Sequence, residues 1–163
     1  MVIIGVDCGA TGAIAVLNPD GTLAQVIDMP TVEEKVGRTV RNRVNPALVV
    51  SALAQTDCRP HIFVEKVNGM PRDGGGAAFT FGTAYGVLLG VLAALNLRHT
   101  LVTPAVWKKA VGCPADKGGA RARAMQLFPA HADLFRRVKD ADRAEASLLA
   151  FYGWQTMQRQ AAL

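Results

Sequence analysis

The chain has few of the residues that build thiolate sites or disulfide frameworks. Its three cysteines, Cys8, Cys58 and Cys113, are far apart and odd in number, and none sits in a Cys-x-x-Cys or Cys/His spacing. That argues against a zinc-thiolate site and against a disulfide scaffold, and leaves reduced, mostly buried thiols. No basic stretch followed by an apolar run and a small-residue cleavage site opens the chain, because residues 2–7 enter a strand pattern at once. The longest apolar stretch, Tyr85 to Leu97, is interrupted by glycines and reads as too short to span a bilayer. Repeats, low-complexity tracts and linkers are absent. The expectation is a single domain over residues 1–163, cytoplasmic, with no membrane association.

What is present is a core and a basic surface. Half of the 163 residues are hydrophobic and 19% are charged, and the net charge is +5. Such a balance suits a polyanionic partner. The cations are grouped: Arg38, Arg41 and Arg43; Lys108 and Lys109; Lys117, Arg121 and Arg123; Arg136, Arg137 and Lys139. Each group falls near an expected loop or helix end, although ordinary solvated faces account for such groups equally well.

The order of elements is distinctive. Val2 to Asp7 reads as a buried strand ending in an acid. Gly9 and Gly12 turn the chain into a second strand, Ala13 to Leu17, and Asn18-Pro-Asp-Gly21 is a hairpin turn into a third, Leu23 to Met29. Thr31 to Asn45 is polar and basic and reads as a loop. Pro46 fits the first turn of a helix running to about Thr56. His61 to Glu65 is a strand, again ending in an acid, followed by a glycine-rich loop from Val67 to Gly76. A long helix, Ala77 to Leu97, carries Gly82, Gly86 and Gly90 at four-residue spacing. His99 to Val102 is a further strand. Thr103-Pro104 caps a short helix to Val111, Gly118 to Phe128 is a helix, and Asp140 to Gln158 is the last long one. Three strands, helix, strand, helix, strand, helices: the pattern is α/β, with a five-stranded mixed sheet whose first three strands are antiparallel, flanked by helices.

The acids carry the chemistry. Asp7 and Glu65 sit where buried strands meet their loops, and a half-buried carboxylate there needs a compensating cation. Taken singly, each also suits a cap or an ion pair. Asp142 and Glu145, three apart, share one face of the last helix before it turns apolar at Leu148, Leu149, Phe151 and Tyr152; placement at a positive helix N-terminus is their ordinary explanation. Asp140 competes with Asp142, but its five-residue offset from Glu145 matches one face less well. Together Asp7, Glu65, Asp142 and Glu145 form a hard-oxygen set suited to Mg2+, with two ions expected and Mn2+ able to substitute. Two-metal phosphodiester hydrolysis needs such a set. The basic groups would then hold phosphate backbone around a negative centre.

These residues fall in an ordered series that resembles the RuvC-like Holliday junction resolvases, in the compact form found in phages and bacteria, within the ribonuclease H-like superfamily. The series runs through Ile4-Gly-Val-Asp-Cys-Gly-Ala-Thr-Gly12, Val64-Glu65-Lys66-Val67, Met70-Pro71 with Gly74, Phe79-Thr-Phe-Gly82 and Tyr85-Gly86. It continues with Thr103-Pro104, Trp107-Lys108-Lys109, Asp116-Lys117, Leu127-Phe128-Pro129 and Asp142-Arg-Ala-Glu-Ala146. The resemblance implies a ribonuclease H-like fold, a homodimer, and paired Mg2+-dependent nicks in opposing strands of a four-way DNA junction. It places Asp7, Glu65, Asp142 and Glu145 on the family's acidic positions, and Lys117 on a lysine near the scissile phosphate, where it would stabilise developing charge. Lys108, Lys109, Lys117, Arg121, Arg72 and Met70 are the expected DNA contacts, Met70 as an apolar wedge between bases. For a phage-encoded enzyme the location would be the host cytoplasm. Two departures stand out. Glu145 replaces a frequent aspartate, and the loop after Glu65 offers Asn68, Met70 and Arg72 in place of an aromatic wedge. Phe79 and Phe81 suit core or dimer packing better than base stacking, and Trp107 suits the core.

Three other readings compete. A sugar-kinase or actin-like ATPase shares the Asp7-Cys-Gly-Ala-Thr11 pattern, but needs two such domains and leaves the acids of the last helix unused. A ribonuclease H-like nuclease acting on other branched DNA, hybrids or RNA would keep the acids and change the surface. A non-catalytic nucleic-acid-binding module has no use for four acids.

Overall fold

The computed structural model describes residues 1–54, 59–66, 75–116 and 118–162. Five strands form the main sheet: β1 (Ile3–Asp7), β2 (Ala13–Leu17), β3 (Leu23–Asp28), β6 (His61–Glu65) and β7 (His99–Val102). Their order is β3-β2-β1-β6-β7, antiparallel from β3 to β1 and parallel from β1 to β7. This is the mixed five-stranded sheet expected. The Asn18–Gly21 turn closes as read: Gly21 donates to the Asn18 carbonyl at 2.9 Å.

Residues 31–45 depart from the expected loop. They form a separate two-stranded ribbon, β4 (Thr31–Val36) and β5 (Thr39–Val44), joined by a two-residue turn at Gly37 and Arg38. The reason lies in the spacing. Thr31, Val32, Val36, Thr39, Val40 and Val44 are β-branched strand formers, and Gly37 takes φ 62°, as the first residue of a tight hairpin turn requires. The interspersed charges hid this pattern.

The helices are α1 (Pro46–Ala54), α2 (Gly75–Ala94), α3 (Pro104–Ala110), α4 (Gly119–Leu127) and α5 (Ala141–Ala161), with 3-10 turns over Pro129–Phe135 and Val138–Asp140. Asn45 caps α1 by accepting the Leu48 amide at 3.0 Å. The cap expected at Thr103 is not made by its side chain; Pro104 alone marks the start of α3.

Strand alternation sorts the core into two layers. Ile4, Val6, Ile14, Val16, Ile62 and Val64 pack with Val49, Leu53, Leu88 and Leu92 of α1 and α2. Ile3, Ala13, Ala15, Leu17 and Phe63 pack with Leu148, Leu149 and Ala150 of α5 and with Trp107, Phe128 and Phe135. Asp7 follows Ile3 and Gly5 at period two, and Glu65 follows Phe63, so both acids stand on the α5 side. α5 lies unusually close to β1: a Cβ on Gly5 would meet the Ala146 carbonyl at 2.2 Å and the Ala150 amide nitrogen at 2.4 Å. Gly5 is therefore what lets the helix carry its first-turn acids up to the end of β1.

On the other layer α2 is apolar yet shallowly seated. Its 20 residues include an 18-residue window of mean hydropathy 1.7, of which 17% is buried. By length and composition it could cross a membrane, so the expected shortness of the apolar stretch is corrected: the helix begins ten residues earlier, at Gly75. Its inner face, Ala84, Leu88, Val91 and Leu92, packs on the sheet. Gly82, Gly86 and Gly90 face open space, and Phe79 is 69% exposed.

Candidate carboxylate site

Parallel pairing of β1 with β6 sets Val6 beside Val64, and the next residue of each strand is a carboxylate. Asp7 and Glu65 thus leave adjacent strands at the same end of the sheet. Asp142 and Glu145 come to them on the first turns of α5, which Gly5 allows to approach.

The electrostatics show four acids acting on one another. Burial, followed by the charges of Asp142, Glu65 and Glu145, pushes the Asp7 carboxyl well above its ordinary range. Glu65 is also raised, by burial first and by Glu145, against a lowering hydrogen bond from Trp107. Among the described residues, one cation reaches into this group. Lys108 Nζ lies 2.9 Å from Glu145 Oε1, and its charge also acts on Glu65 and Asp7. Partial burial pulls the Lys108 ammonium down, but its bond to Glu145 and the acids around it raise it overall.

Trp107 is more than core. It is fully buried, and its indole Nε1 donates to Glu65 Oε2 at 2.9 Å. A buried indole must satisfy its N–H, and here the acceptor is a site carboxylate.

Asp140 and Asp142 are separated by their surroundings. Asp140 is buried and accepts the Arg137 amide at 2.8 Å and the Arg137 guanidinium at 2.9 Å. Arg143 lies 3.6 Å away and also binds Asp28. Asp140 therefore ties down the start of α5, while the charge of Asp142 falls on Asp7.

Of the expected DNA contacts, Lys108 lies within the acid cluster and Lys109 is exposed on the last turn of α3. Arg121, on α4, donates one guanidinium N–H to the Arg136 carbonyl at 2.9 Å. Met70, Arg72 and Lys117 lie outside the described residues. Phe81 packs against the α2 side of the core, whereas Phe79 does not pack inward.

The donor set is four carboxylates, all hard oxygen ligands, with Lys108 as counter-charge among the described residues, which fits Mg2+ or Mn2+ rather than a thiophilic ion. Among the described residues no three His, Cys, Asp or Glu side chains are already closed around one point; the acids are coupled by charge.

No protein-family model and no curated protein sequence matches the chain. Solved structures do match. The structure of T. thermophilus RuvC in complex with a Holliday junction substrate superposes with a TM-score of 0.68 at 15% identity, over 97% of this chain and 96% of that one. A second Thermus thermophilus RuvC structure gives 0.57 at 18% identity, over 96% and 97%. At these identities the likeness is one of architecture, and it spans both chains nearly end to end: this protein has the ribonuclease H-like fold of the RuvC structures.

Proposed function

We propose that the protein is a divalent-metal-dependent endodeoxyribonuclease that resolves four-way DNA junctions by paired nicks, acting as a homodimer. The observation that carries this reading is the convergence of Asp7, Glu65, Asp142 and Glu145 from two strand ends and one helix on a fold shared with a junction-bound RuvC structure.

Asp7, Glu65, Asp142 and Glu145 would hold two Mg2+ ions, with Asp7 the most rigid because β1 is buried on both faces. Such ions, when bound, activate the attacking water and neutralise charge on the leaving oxygen. The chain supplies the rest. Trp107 fixes the orientation of Glu65. Lys108 lowers the repulsion among the acids and offers a cation to a phosphate at the same place. Lys117, Lys109, Met70 and Arg72 remain the expected contacts to DNA.

The dimer reading rests on α2. A stripe of glycines with nothing opposite it and an exposed Phe79 are what a second helix needs for close approach, and a second copy of the chain is the proposed occupant. Gly86→Arg should convert a dimer into a monomer in sedimentation. A wild-type protein that is monomeric at tens of micromolar, or that partitions into lipid vesicles, would sink this part of the reading.

The direct test is a synthetic four-way junction labelled on each strand in turn. Symmetric nicks in opposing strands, absent with chelator and in Asp7→Asn, are expected. Cleavage only of linear duplex, RNA–DNA hybrid or RNA controls would reassign the substrate. Cleavage that survives in Asp7→Asn would overturn the site.

A further inference from the structure

The β4–β5 ribbon joins the core only at its base, where Val44 packs against the α2 side. Residues 32–43 are all exposed, and Val40 at its outer end is 61% exposed. A two-stranded ribbon is marginal on its own, so the packing of this domain does not explain why it is kept. Its charge suggests what it is for. It carries Lys35, Arg38, Arg41 and Arg43 against Glu33 and Glu34. Glu34 is taken up by Arg43. Among the described residues, Lys35, Arg38 and Arg41 have no ion-pair partner, and Arg38 stands at the tip.

Its position relates it to the acids. Arg41 looks across a hollow of about 500 Å³ at Cys8 and Gly9, the residues that follow Asp7. A second groove, of about 440 Å³, has Ala10 and Thr11 along it, with Thr31 and Asn42 of the ribbon on one bank and Arg137, Arg143 and Lys139 on the other, where Asp140 and Asp28 pair the two arginines. The turn after the β1 carboxylate therefore has Arg41 of the ribbon on one side and Lys139 on the other.

We propose that this ribbon is a clamp for the phosphate backbone of one duplex arm of branched DNA, with Arg41 at the turn that follows Asp7 and Arg38 further out along the arm. The inference rests on the nuclease reading above and adds to it a binding element. A two-stranded ribbon is one of the two forms that fit a DNA groove, and unpaired arginines at a tip are free to trade counterions for phosphates.

The test is junction binding measured across a salt series in chelator, where no strand is cut, for wild type, R38A/R41A, R38K/R41K and R59A/R98A. Arg59 and Arg98 lie at the starts of β6 and β7, the opposite end of the sheet from Asp7 and Glu65. Removing two phosphate contacts from each copy, four in the dimer, should flatten the slope of log K against log salt by about 3.6. It should also weaken binding about tenfold at moderate salt. R38K/R41K should recover most of the slope and R59A/R98A should keep all of it. Circular dichroism of each variant confirms that it is folded. If R38A/R41A keeps the wild-type slope and affinity, or if R59A/R98A loses as much, the clamp is overturned while the nuclease reading stands. If wild type binds no DNA of any form, both are overturned.

Discussion

Two sets of carboxylates stand near the start of α5, and their surroundings push them in opposite directions. Asp28 and Asp140 are each bound by arginine side chains. Arg143 holds Asp28 below the ordinary carboxylate range, and Arg137 does the same for Asp140. Asp7 and Glu65 are raised, by burial first and by one another's neighbours next. The first set is what folding asks of a carboxylate: paired, hydrogen-bonded and stabilising. The second set belongs to a group of four acids with, among the described residues, one lysine against it, which folding alone would not retain. A site that disfavours its own ionised state is stabilised by a ligand that reverses the sign, and in the function proposed above that ligand is a divalent cation.

The largest effect that could break this comparison is in Asp7→Asn. If the two sets differ as described, cleavage of a junction falls at least about a thousandfold, the scale at which removing a preorganised charge acts on a transition state. The melting temperature in the absence of metal rises, by about 3 °C. An Asp7→Asn protein that melts below wild type would show that Asp7 is a structural acid like Asp140, and the contrast would collapse.

Asp140→Ala should do the reverse. It removes the acceptor for the Arg137 amide and for two arginines, at a cost of about 2 kcal/mol in denaturant unfolding. Cleavage per folded molecule should drop far less than in Asp7→Asn. Loss of cleavage without loss of stability would make Asp140, rather than Asp142, the ligand on α5.

Much of this contrast could be read before any coordinates. The sheet was legible because β1, β2, β3, β6 and β7 are apolar runs broken by strong turn residues, and the acids at Asp7 and Glu65 terminate two of them. The preference for Asp142 over Asp140 came from helical spacing alone; the arginines that occupy Asp140 stand three residues to either side of it, Arg137 at the cap of a 3-10 turn and Arg143 on α5, and spacing did not show which aspartate they would take. The bond from Arg121 to the Arg136 carbonyl had no sign in the sequence of α4. The ribbon was missed because charge was read as loop, although its β-branched residues and Gly37 stood in the sequence. The bond from Trp107 to Glu65 joins residues 42 positions apart, and depends on α3 packing against the sheet end. That is a tertiary fact without a local trace.

Trp107→Phe sharpens the comparison at smaller scale. Phenylalanine fills nearly the same space but gives no N–H to Glu65. Cleavage should fall about tenfold, the worth of one charge-assisted hydrogen bond, and higher Mg2+ should be needed to reach half-maximal rate. Stability should change little, since the indole fills the pocket by shape. If the rate and the metal dependence are both unmoved, Trp107 is core only.

The smallest effect is the shape of the pH–stability curve without metal, where the two sets act with opposite signs. Asp28 and Asp140 have folded values below that of an unfolded aspartate, about 3.9. Their contribution is complete above that value and is lost as pH falls through the lowered folded ones. Asp7 and Glu65 have folded values above their unfolded ones, so they cost stability at neutral pH, and that cost is relieved as pH falls through the raised values. Melting temperature should therefore hold or rise slightly on going from neutral to mildly acidic pH, then fall steeply below about pH 4. Asp140→Asn should make the steep limb shallower, and Asp7→Asn should remove the mild rise while leaving the steep limb in place. A wild-type curve that falls steadily from pH 7, unchanged in form by Asp7→Asn, would mean that the acids at the sheet end are not held against their charge.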